Sequence, residues 1–166
     1  MVSLKKFDIR NYQMHENVFI SGADESARST ILAKVKEQWE ESGVPVCKFD
    51  FKNGTVEEAT DFFDKLLGII NKNEEWLEQE DEPIFAYSSR KNDFIVVVLT
   101  NLSDIPAEVV PVAKSCVQRG EKAGVYFVGI AEKACDDNRW FHLLRSCHLV
   151  LSETEDEDDI QVKMYS

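Results

Sequence analysis

The chain has 166 residues, 43% of them hydrophobic and 30% charged, and a formal net charge of −12. That length suffices for one domain with a buried core, and a single domain over residues 1–166 is expected. The charge argues against nucleic acid, whose phosphates need a neutralising Lys/Arg field, and no apolar run has the length of a membrane span or the form of a signal peptide.

Two kinds of element alternate along the chain. Val18 to Ile20 is a short apolar strand that ends at Ser21-Gly22. A helix is expected from Ser29 to Ser42, with Ile31, Leu32, Val35 and Trp39 at helical spacing and Gly43 as its left-handed stop. Val44 to Phe51 forms the next strand, with Val46 and Phe51 inward. Thr55-Val56-Glu57-Glu58 is a capping box, in which each side chain satisfies a free amide of the first turn. The helix behind it carries Ala59, Phe62, Phe63, Leu66, Leu67 and Ile70 on one stripe, and continues with a break through Trp76 and Leu77. The acidic stretch from Glu78 to Glu82 and then Pro83 form a connector.

Phe94 to Leu99 is continuously apolar and β-branched, as a strand buried on both faces requires. Pro106 and Pro111 mark the start of a helix that ends near Gly120 or Gly124. Val125 to Ile130 is a strand, Trp140 to Leu144 a short helix, His148 to Leu151 a strand, and Ile160 to Met164 a last, edge strand. The alternation implies a three-layer, doubly wound, mainly parallel sheet.

Four cysteines are present, and none is paired at the spacing of a zinc or redox site. Cys135, His142, Cys147 and His148 lie near one another in sequence, but adjacent residues on a strand point to opposite faces, so reduced thiols are the expectation. The tract Glu153 to Asp159 admits a cation site or a docking tail, and the plainer interpretation is a solvated loop. His15, His142 and His148 have no spaced partner suggesting a triad. Trp39, Trp76, Trp140 and Phe141 are expected to pack the core.

The first strand runs into Gly22-Ala23-Asp24-Glu25-Ser26-Ala27-Arg28-Ser29-Thr30, in the place of a phosphate-binding loop, GxxxxGK[ST]. Ala27 stands for the second glycine and Arg28 for the lysine. Such a loop cradles phosphate with backbone N–H groups, and Asp24 and Glu25 there oppose that anion with like charge. Arg28 reaches phosphate but lacks a compact ammonium, and Ser29 keeps the magnesium-facing hydroxyl position.

Ile95 to Ile105 resembles the Walker B strand of FtsK/SpoIIIE-type motor ATPases, with Thr100 and Asn101 where that family has Asp-Glu. Val117 to Ala131 resembles the family's helix-turn-strand, and its sensor Thr-Gln positions fall on Ala131 and Glu132. The resemblance runs from Leu4 to Asp158. It implies a P-loop NTPase fold of the RecA-like type, and is greatest to the degenerate C-terminal ATPase-like domains of EssC-type coupling proteins in type VII secretion.

The resemblance implies a vestigial nucleotide site at Gly22, Ala27, Arg28, Ser29 and Thr30, and degenerate Walker B positions at Thr100 and Asn101. With the lysine and both carboxylates gone, the expectation is no enzyme, no metal, no bound cofactor and at most weak ATP and magnesium. The expected role is recognition of a secreted protein substrate or of adjacent ATPase modules. The partner segment is expected to be an amphipathic helix or tail with basic residues, which suits an acidic surface. The chain would be the cytoplasmic domain of a membrane-anchored parent. The alternatives are a nucleotide-binding regulatory domain without hydrolysis and an active DNA translocase.

Overall fold

A computed structural model describes residues 2–13, 16–79, 94–133, 144, 147–153 and 160–164. The expectations for Cys135, Trp140, Phe141, His142, His15, the connector past Gln79 and the acidic tract past Glu153 fall outside those residues.

The described elements, in chain order, are β1 (Val2–Ser3), β2 (Val18–Ser21), α1 (Glu25–Glu41), β3 (Val46–Asp50), α2 (Val56–Gln79), β4 (Ile95–Thr100), α3 (Val110–Gly120), β5 (Val125–Ala131), β6 (Cys147–Glu153) and β7 (Ile160–Met164). The seven strands form one sheet in the order β1-β7-β6-β2-β5-β4-β3. β3, β4, β5, β2 and β6 run parallel, β7 lies antiparallel beside β6, and β1 lies antiparallel beside β7. β7 is therefore interior, which corrects the edge position expected for it. The true edge is β1, whose two residues are too few to show a period.

Alternation sorts each central strand onto two cores. Val18, Ile20, Val96, Val98, Val128 and Ile130 face α1, which contributes Ala27, Ile31, Val35 and Trp39. Phe19, Val97, Leu99 and Phe127 face the other way, against Phe63, Leu66 and Ile70 of α2 and Cys116 and Val117 of α3. These strands are buried on both faces, which is why they are written as unbroken apolar runs rather than as alternating ones.

Local signals explain most boundaries. The Thr55–Glu58 box forms as expected: Glu58 N–H donates to Thr55 Oγ1 at 3.1 Å and Thr55 N–H to Glu58 Oε1 at 3.2 Å. α2 runs to Gln79 without the expected break, and Leu77 is buried in its last turn. Pro111 sits in the first turn of α3, where its missing N–H has no partner to lose. Gly43, at φ 79°, ends α1 in the left-handed conformation expected of it. At the amino-terminal edge of the sheet, Asn17 Oδ1 accepts from Phe127 N–H at 2.8 Å, and Gln13 Oε1 accepts from Trp39 Nε1 at 2.9 Å. These buried amides tie the N-terminal segment to α1 and β5.

Candidate functional site: the cleft at the carboxyl ends of the strands

Parallel register brings the ends of four strands to one edge of the sheet. Ser21 lies opposite Ala131, Thr100 opposite Ile130, and Asp50 opposite Thr100. Crevices outside the carboxyl ends of such strands are where doubly wound proteins take ligands. A cavity of about 500 Å3 opens there. Arg28, Lys48 and Lys52 bring cations to it, and Glu25, Asp50, Asp104 and Glu132 bring carboxylates.

The turn between β2 and α1 differs from a phosphate-binding loop. α1 begins at Glu25, four residues before the expected start at Ser29, so only Gly22, Ala23 and Asp24 lie between strand and helix. Asp24 is the cause: its Oδ1 accepts from Ala27 N–H at 2.9 Å and caps the helix. The end of a helix that would attract an anion already holds one. Arg28, on the cleft wall, is engaged by the turn itself: its Nη1 donates to Gly22 O at 2.6 Å and Ala23 O at 2.9 Å. Thr30 Oγ1 is taken by Ser26 O at 2.9 Å. Gly22 is pressed against β6, where a Cβ would come within 2.6 Å of Leu151 Cβ. Ala27 is buried in the core beneath α1, and Ser29 is exposed on the cleft wall. In this turn the Ala27 amide, the Arg28 guanidinium and Gly22 are each engaged within the chain.

At the end of β4, Thr100 is buried, and its carbonyl accepts from Phe51 N–H at 3.1 Å. Asn101 has φ 54° and ψ 47°, left-handed values that Asn tolerates better than most residues. Its Nδ2 donates to Asp50 Oδ1 at 2.7 Å. Asp50 also accepts from Lys52 N–H at 3.0 Å and Asn53 Nδ2 at 2.8 Å. Burial alone would raise the Asp50 pKa, but hydrogen bonds from Asn101, Lys52, Asn53 and Thr100 together pull it below the ordinary value. Asp50 is thus an ionised carboxylate that ties the end of β3 to the end of β4.

The sequence missed Asp50, Lys48, Lys52 and Asn53 as cleft residues. Asp50 leading into Lys52-Asn53-Gly54 has the composition of a side-chain-stabilised turn, which could have marked it. His148, for which no partner was foreseen, has Nε2 2.9 Å from Ser21 Oγ. Cys147 and His148 divide between the two faces of β6, as adjacent strand residues do: Cys147 joins the α1-side core and His148 meets the Phe19 ring.

No family model matches the chain, and no curated protein matches it in sequence. Solved structures match its fold. The conjugation coupling protein TcpA of pCW3, in a monomer form with ATPγS, is 14% identical at a TM-score of 0.71, over 92% of this chain and 58% of its own. EssC ATPases 2 and 3 of Geobacillus thermodenitrificans are 12% identical at 0.63, over 92% and 40%. The cytoplasmic domain of the Thermomonospora curvata type VII secretion ATPase EccC is 15% identical at 0.64, over 84% and 20%. The chain thus spans little more than half of TcpA and less than half of the EssC and EccC chains.

These neighbours overturn the expectation of no enzyme, because the fold is one that ATPases use. Asp50, Asp104 and Glu132 also bring carboxylates to the cleft, from outside β4. The chain has the α/β, RecA-like fold of the ATPase domains found in type VII secretion and conjugation coupling proteins.

Proposed function

We propose that residues 1–166 form one ATPase-fold module of a type VII secretion coupling protein, and that its main task is to recognise a protein segment from a secreted substrate or an adjacent module. The module works on the cytosolic side and meets the membrane only through the rest of its parent. No described helix is long and apolar enough to cross a membrane.

The observation that carries this reading is the closed turn at Gly22–Asp24, where Asp24 caps α1 and Arg28 binds the turn's own carbonyls. A nucleotide has to displace both contacts, so magnesium-ATP binds weakly, through Arg28, Ser29 and freed amides. A fold-level parallel supports the protein partner: an EccC structure of T. curvata, 15% identical at a TM-score of 0.59 over 81% of this chain and 30% of its own, is in complex with a signal sequence peptide. The test is an amide-resolved NMR titration with peptides from the cognate secreted proteins and neighbouring modules. Saturable shifts support the proposal, and no shift at millimolar peptide defeats it.

A second reading, regulation by a bound nucleotide, is favoured by Arg28, Lys48 and Lys52 around one cleft. Micromolar affinity for magnesium-ATP, about −8 kcal/mol, would select it.

A further inference from the structure

Beside the cleft, the edge strand β3 and helix α1 leave a groove of about 210 Å3. Leu32 and Ala33 of α1 and Val46 and Val98 of the sheet make its floor, and Lys36 and Lys48 stand over it from opposite sides. The groove exists because α1 packs over the sheet centre and reaches β3 only with its outer side. Leu32, on the apolar stripe of α1, is left half-buried there.

Among the described residues, the outer backbone of β3 is open at Val46 and Lys48. Pro45 O accepts from Val96 N–H, and Phe51 N–H donates to Thr100 O. Alternation therefore turns the odd-numbered residues toward β4 and the N–H and C=O of Val46 and Lys48 outward, while Asp50 O is taken by Gly54 N–H at 3.0 Å. Among the described residues, β3 pairs only with β4. A lysine on an edge strand is a common guard against unwanted pairing. Guarding alone, however, needs neither an apolar floor beside the lysine nor a second lysine across it.

We propose, building on the protein-recognition reading above, that β3 is the docking edge and that its partner is an extended segment alternating apolar residues with carboxylates. The segment adds to the sheet as a strand beside β3, the edge-addition mode of peptide recognition. Its main chain pairs with Val46 and Lys48, an apolar side chain fills the groove over Leu32 and Val46, and its carboxylates meet Lys36 and Lys48. The local charge selects this partner against the overall one. The whole chain is at −12, yet the charged side chains lining the groove are Lys36 and Lys48, and Glu37, Glu40 and Glu41 line an adjoining cavity that shares Ala33 and Lys36 with it. This partner is acidic and extended rather than the basic helix that net charge suggests.

The test titrates the isotope-labelled chain with a short peptide alternating Val and Glu, the same peptide with Lys for Glu, and the Val-Glu peptide N-methylated at alternate positions. The expected result is saturable shifts and slowed amide exchange at Val46 and Lys48 with the Val-Glu peptide alone. Lys48→Glu and Lys36→Glu should each weaken it at least tenfold. The two lysines lie on different elements, so if one variant misfolds the other still decides. Unchanged affinity in a folded variant, or full affinity of the N-methylated peptide, overturns the proposal. If substrate or module peptides bind elsewhere while the Val-Glu peptide does not, this site falls and protein recognition stands. If no peptide of any kind shifts an amide, both fall.

Discussion

Asp24 decides the chemistry of the β2–α1 turn. A carboxylate at a helix N-cap is stabilising, and here it sits where a phosphate would need the same amide. Two effects of Asp24→Ala therefore oppose each other. Stability should fall by about 0.5–2 kcal/mol, measured by urea denaturation, while affinity for magnesium-ATP should rise in calorimetry. Asp24→Asn should keep most of the cap and gain less affinity. A variant that loses stability with no gain in ATP binding would show that the cap is not what closes the site. None of this was legible from the pattern GxxxxGK[ST], which marks where a loop belongs and not whether a side chain within it will start the helix early.

Asp50 offers a second test at this scale. Its folded pKa lies below the ordinary carboxylate value of 3.8, so its contribution to stability is present above that value. The contribution is lost as pH falls through 3.8 toward the lowered folded value. Asp50→Asn should flatten that part of the acid-unfolding profile, and an unchanged profile would show that the Asn101–Asp50 bond does not hold the strand ends together.

Elements were more legible than their ends. The capping box before α2, its apolar stripe, the buried run of β4 and the Pro111 start of α3 all appear where the residues place them, because each signal is local. What escaped was set by distant partners. α2 continues past Ile70 because Leu77 finds a buried site, and Leu32, though on the stripe of α1, faces a groove. Phe63, wholly buried between α2 and the sheet beside Phe51 and Phe62, is the strongest element-scale probe. Phe63→Ala should cost about 3–5 kcal/mol in chemical denaturation, and a loss under about 1 kcal/mol would mean that α2 is not seated as described.

At the scale of the molecule, the alternation of elements pointed to a parallel doubly wound sheet, but not to strand order. The placing of β5 between β2 and β4 is decided by crossovers, which no local pattern records. That order brings β3, with Lys48, Asp50 and the turn behind it, to the cleft edge, so half of the candidate site was invisible in the sequence. Net charge acts at this scale as well. At −12 the chain has little to gain from counterion release, so random duplex DNA should show no gel shift at physiological salt and micromolar protein. A salt-dependent shift would show that a local basic face outweighs the net charge.

The central claim is that this ATPase fold is used to recognise protein, with its phosphate turn closed by Asp24 and Arg28. One amide-resolved NMR titration tests it most directly, with substrate or module peptide and magnesium-ATP added separately to the same labelled chain. The account predicts saturable shifts with peptide, and shifts at Gly22 to Ser29 only at high ATP concentration. Saturation by ATP in the low micromolar range, with no response to any peptide at millimolar concentration, would contradict it.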